Sequence, residues 1–238
     1  MPLRAVVLLL ASLAGAAATA ALGFWQLDRA AQRTAAQAQL EARGRLPPLA
    51  AAELARTPAD VPAQAQRAVR LTGEWLAERS VALDNRPMDG RAGFYLVTPL
   101  QLAPGDVVLV QRGWLPRDAA DRTRLAPHRT AAGPVTIEGR IAPGFSRLYA
   151  FDDSASGPIR QNLDLDAFAR ETGLPLRPFV VVQADAGVDD GLRRHWPAPA
   201  SGADKNRGYA LQWFGLCALI TGLYVWFQLV RPRLARRG

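Results

Sequence analysis

Hydrophobic positions along this chain follow two different patterns. Ala5 to Trp25 and Tyr209 to Val230 are apolar runs without a formal charge. As helices each would reach roughly 31 to 33 Å, close to the thickness of a hydrocarbon core, and so predicts a membrane span. Between them the pattern changes. DRAAQRTAAQAQL, residues 28–40, is polar and helix-prone and extends the first helix, and RLPPLAAAELARTPADVP reads as a linker around a short helix. Short runs rich in Val, Leu, Ile and aromatics follow at Ala68–Trp75, Ser80–Asn85, Phe94–Leu102, Val107–Trp114, Val135–Ile141 and Phe179–Gln183, separated by Gly, Pro and Asp. Six such runs predict a compact antiparallel sheet or barrel. Val107 to Val110 is nearly continuous in apolar residues, which suits a strand covered on both faces. Leu165, Phe168 and Ala169 fall at helical spacing with Asp164 as N-cap, predicting one helix over Leu163–Thr172.

Charge orients the spans. All 21 acidic residues lie between Asp28 and Asp204, whereas Arg4, Arg231, Arg233, Arg236 and Arg237 cluster just outside the apolar runs. Basic residues at the membrane ends mark the cytoplasmic side, so both termini are expected there. The expected fold is a membrane protein of α+β class: two transmembrane helices flanking a periplasmic, antiparallel β-rich, barrel-like domain with one or two short helices. Its divisions are a cytoplasmic N-terminus at 1–4, helices at 5–25 and 209–230, the periplasmic domain at 26–208, and a basic cytoplasmic tail at 231–238. Ala18-Thr19-Ala20 also fits a signal-peptide cleavage site, but the apolar run continues past it to Phe24-Trp25, aromatics suited to a membrane interface.

The net charge of +8 reflects this orientation signal and an Arg-rich composition, with no basic, aromatic-interleaved stripe of the kind nucleic acid requires. The single cysteine, Cys217, lies in the second span, which excludes a disulfide-stapled outer domain, and two histidines leave little for a structural zinc site.

Candidate chemistry is sparse. Asp152-Asp153 and Asp189-Asp190 read as solvated loop acids. Ser154, Ser156 and His128 lack a nucleophile elbow, and no Gly-rich phosphate loop occurs. Asp84, Arg86, Asp89 and Arg91 alternate in sign around Pro-Met-Asp-Gly, reading either as a hairpin tied by ion pairs or as a recognition loop. Within Gln111-Arg112-Gly113-Trp114, the arginine and tryptophan either stack on each other or hold an anionic planar ligand. Phe24-Trp25-Gln26 and Tyr209, Gln212 and Trp213 are expected at one membrane interface. Gly15, Thr19 and Gly23 on the first helix, and Gly215, Ala218 and Gly222 on the second, are small enough for close helix approach.

GFWQLDRA, LDNRPMDGRAGFYLVTPLQL, VLVQRGWLPRD, VTIEGRI and KNRGYALQWFGLCALITGLYVWF, in that order, resemble the Surfeit locus protein 1 (Shy-type) family over nearly the whole chain. The resemblance implies a non-catalytic assembly factor for haem-copper cytochrome c oxidase in a bacterial inner membrane. It also implies haem a as a transient cofactor, with oxidase subunit I, the haem a synthesis machinery and membrane lipid as partners. In many bacterial members the border motif reads Lys-His-Arg-Gly-Tyr-Ala-x-Gln-Trp, its histidine proposed as an iron ligand and its tryptophan implicated in haem binding. Trp213 matches that tryptophan, Tyr209 and Gln212 match its neighbours, and Asn206 stands at the histidine position. The implied haem edge is Trp25, Gln26, Asn206, Tyr209, Gln212 and Trp213, with His195 as a substitute axial ligand.

Overall fold

The computed structural model describes residues 3–118, 120–121, 124–148, 157–184, 188–196 and 201–234. Asp152, Asp153, Ser154 and Ser156 lie outside the described residues. The chain divides into two compact units, one of residues 1–39 with 199–238, the other of residues 40–198.

Helix α1, which lies in the first unit except for its last turn, runs unbroken over Leu3–Gly44, so the apolar run and the polar segment after it form one helix. The second apolar run lies in α4, Ala203–Tyr224, which continues through a π-helical stretch, Val225–Val230, into α5, Arg231–Leu234. The apolar windows of both helices are almost wholly exposed in the isolated chain. Hydrocarbon side chains in that state need a nonaqueous environment, which fits membrane helices.

The second unit holds a 3-10 turn at Ala51–Glu53, α2 at Val61–Gln64, and seven strands among its described residues. These are β1 Ala68–Trp75, β2 Val81–Leu83, β3 Gly93–Ala103, β4 Asp106–Pro116, β5 Pro134–Ala142, β6 Ile159–Arg160 and β7 Leu176–Gln183. Helix α3, Leu165–Thr172, has the expected Asp164 cap, whose carboxylate accepts from the Ala167 amide. Strands β1, β5, β7, β4 and β3 pair in that order, and β1 pairs again with β3, closing a five-stranded barrel with β2 and β6 added on one side. The sheet is mixed, not purely antiparallel: β4–β7 and β2–β6 are parallel. The crossover from β5 to β7, carrying β6 and α3, lets β7 enter beside β4 in the parallel sense.

Alternation along β4 sends Val108 and Val110 into the barrel with Leu71, Ile137, Phe179 and Val181, while Leu109 packs outside with Phe168 under α3. The strand is thus covered on both faces. One barrel end is plugged by Leu49, Leu54, Ala55 and Val61. Arg177 fastens this plug, donating to the Leu54 and Ala55 carbonyls while its fork engages Asp106.

The hairpin at residues 83–100 forms, but its charged residues do not pair among themselves. Arg86 is buried, donating to Ser146 and to the Gln161 carbonyl. Asp84 meets Arg117, and Asp89 meets His195. The guanidinium fork of Arg86 reaches several carbonyl acceptors at once, which opposite charges across a turn do not supply. Asp190 is not a solvated loop acid either. Its side chain is 8% exposed, between Arg112 and Arg194, whereas its neighbour Asp189 projects into solvent toward Arg129.

Candidate functional site at the helix border

The helical unit is built on a seven-residue repeat. On α1 the covered positions include Ser12, Ala16, Thr19, Gly23, Gln26 and Ala30; on α4 they include Ala203, Asn206, Ala210, Trp213, Cys217 and Ile220. Steps of three and four residues keep one seam facing the partner helix, as in a coiled coil. The helices run antiparallel, since Gly15 faces Ile220, Ala16 accepts a hydrogen bond from Cys217, and Gly23 faces Phe214. A Cβ at Gly23 would lie 2.7 Å from the Phe214 ring, so the absence of a side chain there makes room for the aromatic. Phe24 meets the same ring edge-on at 5.1 Å. Gly15, Thr19 and Gly23 therefore serve close approach as expected. Gly215 and Gly222 have nothing beside them and face away from α1.

At the border between the polar and apolar parts, Asn206 is 8% exposed, and its Nδ2 donates to Gln26 Oε1 at 2.6 Å. The other hypothesised residues spread around this clasp. Trp213, seven residues on, shares the Asn206 seam and is half-buried; Tyr209 flanks it; Gln212 projects outward; Trp25, next to Gln26, is 57% exposed. Gln26, Asn206 and Trp213 thus share one seam, while Trp25, Tyr209 and Gln212 lie off it. His195 belongs to the other unit, where its Nδ1 meets Asp89 at 3.0 Å.

The seam residues Gln26 and Asn206 do not fit axial ligation of haem iron. Imidazole, thiolate, thioether and phenolate are the usual protein ligands; Asn206, where the resemblance implies a histidine ligand, is a carboxamide already spent on Gln26, and the phenol of Tyr209 is exposed off the seam. The thiol of Cys217 is turned to the Ala16 carbonyl. No group of three or more His, Cys, Asp or Glu side chains able to hold a metal occurs among the described residues.

The clasp is a neutral pair buried between helices, so breaking it leaves one amide without a partner, while replacing both residues leaves none. Gln26→Leu and Asn206→Leu are each expected to destabilise the helix pair, and the double variant to recover most of the loss. The coupling is about 1 kcal/mol, read by thermal unfolding of the nanodisc-embedded chain with hydrogen exchange on both helices. The 26/206 pairing was missed from sequence, although the seven-residue spacing would have found it by placing both residues on facing seams.

A model of the SURF1 family matches residues 13–218, which runs from within α1 to within α4 and takes in the whole barrel unit. The chain is 27% identical to a SURF1-like protein of Rickettsia bellii, over 91% of this chain and 88% of that one. It is 26% identical to a SURF1-like protein of Monosiga brevicollis, over 88% and 83%, and 25% identical to Surfeit locus protein 1 of Rattus norvegicus, over 87% and 70%.

Proposed function

The chain belongs to the SURF1 family, and on that footing we propose that it is an assembly factor for haem-copper cytochrome c oxidase, held in a bacterial inner membrane by α1 and α4. The family is generally known for cytochrome oxidase assembly, and the proposed role is non-catalytic. The antiparallel helix pair supports the topology, because it brings the two basic ends, Arg4 and the Arg231–Arg233 segment, to the same side. By the distribution of positive charge that side is cytoplasmic, and the barrel unit is periplasmic.

Two finer forms of this role differ in what happens at the helix border. In one, the chain holds haem a and passes it to subunit I, with Trp213 and Tyr209 against the ring and Lys205 and Arg207 toward its carboxylates. In the other, it stabilises oxidase subunits without touching haem. The observation that carries the choice is the Asn206–Gln26 hydrogen bond, which turns the ligand position of the family motif into a helix clasp and favours the second form.

The experiment is genetic. In a cell deprived of this chain, assembled oxidase, measured by membrane haem a absorbance and cytochrome c oxidation, is expected to fall several-fold and to return with the full chain. An Asn206→Ala chain is expected to restore it as well. Normal oxidase levels without the chain would sink the assembly role. Failure of Asn206→Ala in a chain that still inserts and folds would return the border to the haem-holding form.

A further inference from the structure

The plug closes the barrel where β4 and β7 begin; where they end, the interior opens into a cleft of about 620 Å³. Trp75, Val135 and Ile137 supply apolar walls, and Thr130 and Arg112 supply polar ones. That volume lies within the usual range for small-molecule pockets, and barrel mouths are common places for them.

Arg112 has an unusual setting. It is the unpaired residue of a β-bulge, since β3 and β4 pair Leu96 with Gly113 and Val97 with Gln111, skipping it. Bulges re-aim side chains, and here the guanidinium, 2% exposed, lies 4.7 Å from the centre of the Trp75 ring. It donates to Thr130 Oγ1 and the Arg129 carbonyl, while its Nε has no hydrogen-bond partner. Arg194, also buried, shares the single carboxylate of Asp190 with it. Arg194 approaches to 2.6 Å and Arg112 only to 3.4 Å. The rim pair Arg129–Asp189 is neutral in itself. Among the described residues, two buried cations therefore divide one buried anion beside an apolar surface. Burial and the charge of Arg194 both push Arg112 below its ordinary pKa, with Asp190 opposing them. A buried charge in that condition is stabilised by an anion brought to it.

We propose that the barrel mouth binds a carboxylate carried on a flat apolar body, with the carboxylate on Arg112 and the body along Trp75, Val135 and Ile137. An inorganic anion would satisfy the charge but leave the apolar walls uncovered. A neutral aromatic would do the reverse. The head group would take the Nε–H of Arg112, the donor that lacks a partner, as a charge-assisted hydrogen bond. This site lies wholly within the barrel unit and does not depend on the oxidase reading.

The test uses the full chain in nanodiscs of zwitterionic lipid, with empty nanodiscs subtracted, and 2-naphthoate as the probe, its neutral counterpart 2-naphthylmethanol as control. Saturable binding is expected at or below about millimolar, with the alcohol about tenfold weaker or worse. Arg112→Gln is expected to weaken 2-naphthoate about tenfold. Should that variant fail to fold, Val188→Trp serves instead: Val188 is exposed on the cleft rim, and tryptophan there would fill the mouth without touching the charge cluster, with a similar loss expected. Equal binding of acid and alcohol, no saturable binding in that range, or unchanged affinity in Val188→Trp would overturn the proposal.

Discussion

Replacing Gly73 with valine is expected to open the barrel. Gly73 lies where β1 leaves its pairing with β5, opposite Val135, and turns to pair with β3 at Glu74–Gln101 and Trp75–Leu100. A Cβ built there would run into the Gln101 carbonyl and press on the Leu100 side chain. The carbonyl belongs to the neighbouring strand and cannot rotate aside, so either β1 withdraws from β3 or the corner distorts. Barrels turn their corners at such glycines. Overpacking alone costs about 1–3 kcal/mol, and losing the β1–β3 pairing also exposes two strand edges. A loss of about 3 kcal/mol or more is expected in denaturant unfolding of the nanodisc-embedded chain, with rapid amide exchange along β1 and β3. A Gly73→Val chain with unchanged stability and protected β1–β3 amides would mean that the barrel does not close there.

The second large effect belongs to Arg177. Its guanidinium is buried, engages Asp106 through Nε and Nη2 at 2.6 and 2.7 Å, and spends Nη1 on two plug carbonyls. Arg177→Met leaves the carboxylate and both carbonyls without the donors that now satisfy them, and breaking a buried pair by removing one partner costs about 3–5 kcal/mol. The exposed Arg129–Asp189 pair is worth under about 1 kcal/mol, so Arg129→Met is the matched control. The same pair gives a pH signature. The hydrogen bond from Arg177 holds the Asp106 carboxyl below its ordinary value. A carboxylate lowered by folding contributes stability that is full above its unfolded value, near 3.9, and is lost as pH falls through the lower folded value. The native chain is expected to show this acid-side loss and Arg177→Met to lack it. Unfolding curves between neutral and strongly acidic pH measure the difference.

Much of the barrel was legible because its strands obey a period of two. Ala68–Trp75 was located at its observed bounds, and Val107–Val110 declared its two covered faces by being continuously apolar. Strand β6 spans only Ile159–Arg160, too short for any periodicity to register. The parallel entry of β7 was hidden because its residues read the same in either direction; its neighbour is decided by the crossover. The alternating charges around residues 84–91 misled for a related reason. Which acid a long arginine reaches depends on partners far along the chain, such as Ser146 for Arg86. Arg112 follows the same rule: it stacks on Trp75, not on the nearby Trp114, whose ring is buried with its Nε1 donating to the Arg86 carbonyl.

At the helix border, the composition revealed aromatic and amide residues at one depth, but not their directions. Helical phase separates them. Asn206 and Trp213 are seven residues apart and share a seam; Tyr209 and Gln212 rotate away from it. Asparagine at a position where the resemblance implies histidine marked Asn206 as different, and in the structure it forms one half of a hydrogen bond to Gln26.

The most direct measurement is to produce the full chain in membranes together with cytochrome c oxidase subunit I and the enzymes of haem a synthesis, and to purify it in mild detergent. Its protein partners and the haem content of a pyridine extract are then determined. The account predicts that subunit I accompanies the chain and that, once haem carried by subunit I is subtracted, haem a stays far below one per chain. Near-stoichiometric haem a on chain freed of subunit I, lost on Trp213→Ala, would contradict it.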